Sequence, residues 1–366
     1  MQMKGSSTIP EDVKHILLLQ LGDIGDVVLS LPCLRALREQ FPQARLMVAV
    51  REKAKELIED CPWADGVIAI GSEKRSFLQE LICQKRFFSY VKGYHFDLSI
   101  NLRLGDRSAL LPFLGGIRQR ISFFDPEGRL WRNRLSTHLN NLEYKTDQYV
   151  GDYYLSLLEA YNIKPTDPRP RMEVPMGRII EADSLFSGAG IPSKEPLVVL
   201  QPFSLWRYKE WTTANYIELV RRIKTDFGFP VLIVGAAEEK NRASSIAEGC
   251  GPGVYNLTGR TSIGLLSAVL KRSSLFIGVD SAGMHIAAAV GTPTVTIFGP
   301  SSPVSWAPRG SGHRVVQSRL PCVPCRQKGC AGSEQSRCLE ELPVSEVMAA
   351  VASQLGNLSQ QVVYTS

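Results

Sequence analysis

The sequence predicts an α/β protein made of two successive sets of βα units, each building its own parallel sheet. Three observations carry this. Short apolar runs of strand length recur along the 366 residues, each followed by a turn rich in glycine or aspartate and then by a helix-period segment. Strands that alternate with helices must pair in parallel, because the crossover helix brings the chain back to the end of the sheet it started from. The pattern lapses between Lys164 and Pro196, where six prolines stand (165, 168, 170, 175, 192 and 196), and then restarts. A chain of this length exceeds one ordinary core, so the lapse reads as a linker between two domains.

Composition narrows the class further. A hydrophobic content of 44% with 21% charged residues belongs to a soluble globular protein. The net charge of +6 is spread over both halves, which argues against a dedicated nucleic-acid binder. The leader MQMKGSSTIPEDVK lacks an apolar core, and HILLLQL is too short to span a bilayer, so the reading places the chain in the cytoplasm. Its eight cysteines are then expected to be reduced unless they hold a metal.

In chain order, His15 to Leu21 reads as a strand, the glycine-aspartate turn Gly22 to Asp26 breaks it, and an apolar-periodic helix runs through Leu37. Pro32 must lie in a first helical turn or kink the helix, since it has no N–H to give. Strands are expected at 46–50, 66–70, 97–101 and 118–123, with a polar helix from Glu52 to Asp60, a basic helical stretch over 72–94 and a short helix from Arg107 to Leu114. Asp147 is expected to cap the aromatic-rich helix 149–161. After the linker come strands at 197–201, 229–235, 255–257, 275–280 and 294–298. Helices between them start at Thr213, Glu238, Ser262 and Met284. The final helix from Val344 places Val347, Met348, Val351 and Leu355 on the same apolar stripe.

The chemistry concentrates at strand ends. Asp26 stands on a glycine-flanked turn, where open α/β sheets place their ligands; it reads either as a general base for a hydroxyl or as an N-cap, with Asp23 as a second choice. The turn is not G-x-G-x-x-G, so a nicotinamide oxidoreductase gains nothing from it. Lys209 follows another strand and reads either as a cation for a leaving phosphate or as a solvated loop lysine. Glu239, after Gly235, reads as a ligand for ribose hydroxyls or as favourable charge in a first helical turn. At Asp280 to His285 a run of small residues opens a helix whose free N–H groups and dipole suit a phosphate. Asp280 there could be an N-cap only, and His285 a satisfied core histidine. Arg51, Lys53, Lys55, Arg103, Arg107, Arg118 and Arg120 follow strand ends or lie in loops, where they could hold carboxylates and phosphates or simply be solvated. Cys322, Cys325, Cys330 and Cys338 could hold a structural metal, remain free thiols or form a disulfide.

Asp280-Ser281-Ala282-Gly283-Met284-His285 followed by AAAVGTPTVTIFGP resembles the signature of the bacterial heptosyltransferases, glycosyltransferase family 9, which use ADP-heptose to build the lipopolysaccharide inner core. The family form has Gly at the place of Ala282 and often Pro at that of Gly283. Gly25-Asp26-Val27 and Lys209-Glu210-Trp211 match two further elements of that family, in the same order. The resemblance implies the GT-B architecture, two Rossmann-like βα domains facing across a cleft: an acceptor-binding domain over 1–175, a nucleotide-sugar domain over 176–345, and a helix and tail over 346–366. It implies Asp26 as the base and Lys209 on the donor diphosphate. Glu239 would hold the ribose, Thr261 would cover the adenine, and Asp280, Ser281, Ala282, Gly283, Met284 and His285 would line the donor site. Asp23, Arg51, Lys53, Arg103, Arg107, Arg118 and Arg120 would meet an anionic lipopolysaccharide precursor. The same resemblance implies inverting transfer without a required metal and transient contact with the inner leaflet. A nucleotide-sugar-binding protein of envelope assembly without turnover, or a family member with another sugar donor, is the alternative expectation.

Overall fold

The computed structural model describes residues 9, 12–71, 88–126, 130–192 and 196–363. Of the basic stretch expected to be helical, 88–93 is helix, and residues 72–87 lie outside the described residues. The chain divides into two compact units, Met1–Pro170 and Arg171–Ser366.

The first unit is built on β1 (His15–Gln20), β2 (Arg45–Arg51), β3 (Gly66–Ile70), β4 (Leu98–Asn101), β5 (Gln119–Phe123) and β6 (His138–Asn140), in the order β3-β2-β1-β4-β5-β6. The second has β7 (Val198–Gln201), β8 (Val231–Ile233), β9 (Val254–Asn256), β10 (Leu275–Val279), β11 (Thr294–Phe298) and β12 (His313–Gln317), in the order β12-β11-β10-β7-β8-β9. Every pairing is parallel. Counted from its own first strand, each sheet has the Rossmann order, and its direction of winding reverses between two neighbours: β1 and β4 in one, β7 and β10 in the other.

Helices cover both faces of such a sheet, so central strands have no polar side. Ile16, Leu17, Leu18 and Leu19 of β1 are all fully buried, and β10 and β11 are buried throughout. After β1 the chain forms two helices, Ile24–Leu29 and Leu31–Gln40, rather than one. Pro32 lies in the first turn of the second helix, where an N–H would have had no partner anyway.

Three expectations change. Asp147 is exposed and caps nothing: the helix Val150–Glu159 has Tyr149 at its N-cap and no side-chain cap. The proline-rich linker contains a 13-residue helix, Met176–Gly188, because its prolines fall outside that span, with Pro175 at the N-cap. That helix buries only Ala182 and Phe186, against the helix Ile263–Lys271, which is why its apolar period is faint. The edge strands β6 and β12 were not foreseen: β6 has only three residues, and both are only partly buried. The terminal helix Val344–Val363 packs on the helix Thr213–Phe227 and on β11 and β12, burying Val347, Val351 and Leu355 completely.

Phe186 is the one large side chain that the helix Met176–Gly188 buries completely. Phe186→Ala is expected to destabilise the protein by about 3–5 kcal/mol through lost transfer energy and the cavity left behind. Urea unfolding monitored by fluorescence measures this.

Candidate functional site

In the first unit the site grows from the end of β1. Gln20 is fully buried and turns its Oε1 back to accept the Gly22 N–H at 3.1 Å. Asp23 is the N-cap of the following helix, so Asp26 is not a cap residue but the third residue of its first turn. From there the Asp26 carboxylate folds back, and its Oδ2 accepts the Asp23 N–H at 2.8 Å. A Cβ on Gly22 would stand 2.5 Å from that Oδ2 and 2.6 Å from the Asp26 Cβ, so the whole side chain needs a glycine here. A Tyr154 hydroxyl donates to Oδ1 at 2.6 Å, and the Arg103 guanidinium lies 3.2 Å from Oδ2. Asp26 itself is only 5% exposed.

Around this carboxylate stands a charged shell. Asp23 accepts from Lys53 at 2.6 Å and from Arg51 at 3.1 Å. Burial works to raise the Asp23 carboxyl, but Lys53, Arg51 and Arg103 outweigh it and hold the group below the usual range. Burial likewise opposes the charge on Arg103, and Asp26 leads the contacts that keep its pKa above the ordinary value. Arg103 comes from the turn after β4, so the Asp26–Arg103 pair spans the reversal between β1 and β4.

The structure thus joins Asp23, Asp26, Arg51, Lys53 and Arg103, while Arg107 and Lys55 have partners of their own and Arg118 and Arg120 lie elsewhere on the sheet. Arg107 donates to the Gly71 carbonyl at 3.3 Å, and Lys55 pairs with Glu59 at 3.0 Å. Arg118 precedes β5 and Arg120 lies at its start, level with Ser99, so both stand at the amino end of the sheet, opposite Asp26. Arg120 donates to the carbonyls of Leu135 and Ile117. Tyr154 went unread because nothing local marks it: it lies 128 residues from its partner.

The second unit repeats the plan at the reversal between β7 and β10. Lys209 Nζ donates to Asp280 Oδ2 at 2.6 Å, with the acid buried and the lysine partly exposed. The Lys209-Glu210-Trp211 element divides its work. Trp211 is buried and donates to the Leu342 carbonyl at 3.1 Å, Glu210 pairs with Arg242 and accepts the Ser204 N–H at 3.1 Å, and Lys209 is left to reach Asp280. Asp280 precedes the N-cap residue Ser281, and the helix spans Ala282–Ala289. Ser281 and Ala282 are partly exposed at its start, whereas Gly283, Met284 and His285 are buried, the imidazole edge-on to Trp306 with ring centroids 6.3 Å apart. His285 therefore holds the helix down rather than facing solvent.

Glu239 uses the same backward reach as Asp26. Its Oε2 accepts the Ala236 N–H at 2.7 Å, and a Cβ on Gly235 would stand 2.4 Å from it. Burial raises the Glu239 carboxyl, against the lowering effect of that hydrogen bond. Thr261 is partly exposed ahead of the helix Ile263–Lys271.

The four C-terminal cysteines are free, with Cys322 and Cys330 exposed, Cys325 partly exposed and Cys338 buried. Burial and the nearby thiols push Cys338 to about 11. Among the described residues no group of three or more His, Cys, Asp or Glu side chains is arranged to hold a metal ion. No helix among them is long and apolar enough to cross a membrane.

Two Rossmann-like sheets, each with charged groups at its winding reversal, define a protein of the GT-B fold class. The sequence model of Glycosyltransferase family 9 (heptosyltransferase) matches residues 85–335, and the chain belongs to that family. It is 26% identical over 289 residues to lipopolysaccharide heptosyltransferase 3 of Escherichia coli, covering 78% of this chain and 83% of the relative. Its fold matches the crystal structure of a glycosyl transferase family 9 protein from Veillonella parvula, with a TM-score of 0.81, 21% identity and coverage of 96% and 100% of the two chains. It also matches the ADP-heptose lipopolysaccharide heptosyltransferase II of E. coli, with a TM-score of 0.78, 22% identity and coverage of 94% and 99%.

Gly22→Ala tests the backward fold of Asp26. The new methyl must displace that side chain, so turnover is expected to fall at least about tenfold while ADP still raises the melting temperature as in the parent. Steady-state kinetics and thermal-shift titration read the two effects separately.

Proposed function

We propose that the protein transfers a heptose from ADP-heptose to an anionic inner-core lipopolysaccharide acceptor, with inversion at the anomeric carbon. The first unit takes the acceptor and the second the nucleotide sugar. Asp26 accepts the proton of the acceptor hydroxyl as that oxygen attacks the anomeric carbon. The bond to ADP breaks, and its electrons settle on the β-phosphate oxygen. Lys209 and the free N–H groups at Ser281 to Gly283 stabilise that charge in the role a metal fills in other transferases. Glu239 holds the ribose, Thr261 lies over the adenine, and Asp280 keeps Lys209 aimed while the donor is absent. The observation that carries this reading is the ion pair at each winding reversal, where open α/β sheets bind their ligands. Family membership and the E. coli relatives, which are lipopolysaccharide heptosyltransferases, support the sugar and the acceptor class.

Arg51, Lys53 and Arg103 supply the positive charge for acceptor phosphates and carboxylates. The acceptor's lipid brings the protein to the inner face of the membrane. Leu110, Phe113 and Leu114 are 37%, 46% and 42% exposed on the helix Asp106–Leu114, and the exposed Arg118 follows them. Apolar groups flanked by arginine suit an anionic bilayer surface.

The low exposure of Asp26 favours one second reading, a nucleotide-sugar-binding protein without turnover. Release of ADP from ADP-heptose, assayed with a panel of inner-core acceptors and with UDP- and GDP-linked sugars as controls, separates the two. Asp26→Asn is expected to lower kcat by about 10²- to 10⁴-fold with ADP binding retained. Lys209→Ala is expected to lower kcat by about 10²- to 10³-fold and to weaken ADP binding as well. Wild-type turnover in Asp26→Asn would remove the mechanism.

A further inference from the structure

The Asp26 carboxylate is held from three sides, by one hydrogen bond on each oxygen and by an ion pair at Oδ2. An ionised carboxylate offers about four lone-pair sites, two on each oxygen. Oδ2 accepts the Asp23 N–H at 2.8 Å, and the Arg103 guanidinium stands 3.2 Å from it as an ion-pair partner. Oδ1 takes the Tyr154 hydroxyl at 2.6 Å and keeps one site. We infer that Tyr154 is a positioning residue of the transfer reaction, fixing the Asp26 carboxylate so that Oδ1 is presented to the acceptor hydroxyl. The inference rests on the proposed role of Asp26 as base.

Tyr154 suits that task. It is 4% exposed in the middle of the helix Val150–Glu159, which packs on both helices that follow β1. Burial, and then Asp26, push its phenol well above its ordinary value, so the hydroxyl remains a donor at any working pH. Its neighbour Tyr153 points elsewhere and stacks on Phe123 with ring centroids 4.2 Å apart. The other charged groups facing Asp26 are Arg103 and Asp23, the latter carrying Arg51 and Lys53. In the step itself the acceptor's O–H proton passes to Oδ1, the freed oxygen pair forms the new bond to the anomeric carbon, and the ADP oxygen leaves with its bonding pair. Tyr154 neither gains nor loses a proton.

The test is a double-mutant cycle between positions 154 and 26, reading ADP release from ADP-heptose with a deacylated inner-core oligosaccharide as acceptor. Tyr154→Phe is expected to lower kcat by about 10- to 100-fold, the loss of one hydrogen bond to a charged group, with the KM for ADP-heptose unchanged. In the Asp26→Asn background the same change is expected to cost clearly less, because the positioning acts through Asp26, while the hydroxyl's contact with Arg103 is present in both backgrounds. A wild-type kcat in Tyr154→Phe, or an equal loss in both backgrounds, overturns the inference and leaves Asp26 as base. Wild-type turnover in Asp26→Asn removes both. Should Tyr154→Phe fail to melt cooperatively, 3-fluorotyrosine at 154 replaces it. That stronger donor is expected to weaken the base and lower kcat at constant KM, and an unchanged kcat overturns the inference.

Discussion

The structure depends on an ion pair at the place where each sheet reverses its winding. Loops leaving the two central strands diverge there, so the main chain opens and only side chains can bridge the gap. Asp26 meets Arg103 across one such gap, and Asp280 meets Lys209 across the other. In both pairs the acid is buried and the base more exposed. A buried carboxylate must be paired or solvated by donors, whereas a half-exposed cation can turn toward an incoming anion. The polarity is reversed between the units. The acid hangs from the first strand in one and from the fourth in the other, so the first unit offers a carboxylate from β1 where the second offers a lysine after β7.

A second device recurs with the first. At Gly22 to Asp26 and at Gly235 to Glu239 an acid reaches back four residues to occupy the space a side chain would have filled, and accepts the N–H of the residue after the glycine. This satisfies one donor at a helix start and fixes the carboxylate at a strand end. A hydrogen bond that closes the helix start and the chemical role proposed for these acids are therefore compatible. The hydrogen bond that caps the helix is also what aims the acid.

Much of this was legible in the chain. The order of strands and helices follows from local periodicity, and the glycine turns announce where the chain must bend tightly. The acids and the lysine at strand ends could be named from their neighbours alone. The helix Met176–Gly188 was hidden because two side chains anchor it, too few to write a period, and because the prolines around it lie just outside its ends. The arginines of the first unit could be counted but not sorted. Whether Arg103 or Arg120 stands beside Asp26 depends on which end of its strand each occupies, and strand pairing decides that.

By itself, then, the sequence determined the α/β class, the division into two sets of βα units and the identity of Asp26, Lys209, Glu239 and Asp280 as charged groups at strand ends, since each follows from residues a few positions apart. The tertiary structure alone decided their partners. Tyr154 reaches Asp26 across 128 residues and Lys209 reaches Asp280 across 71. Those meetings arise from a strand order that reverses mid-sheet, and no local pattern of residues encodes which distant loops such a reversal brings side by side.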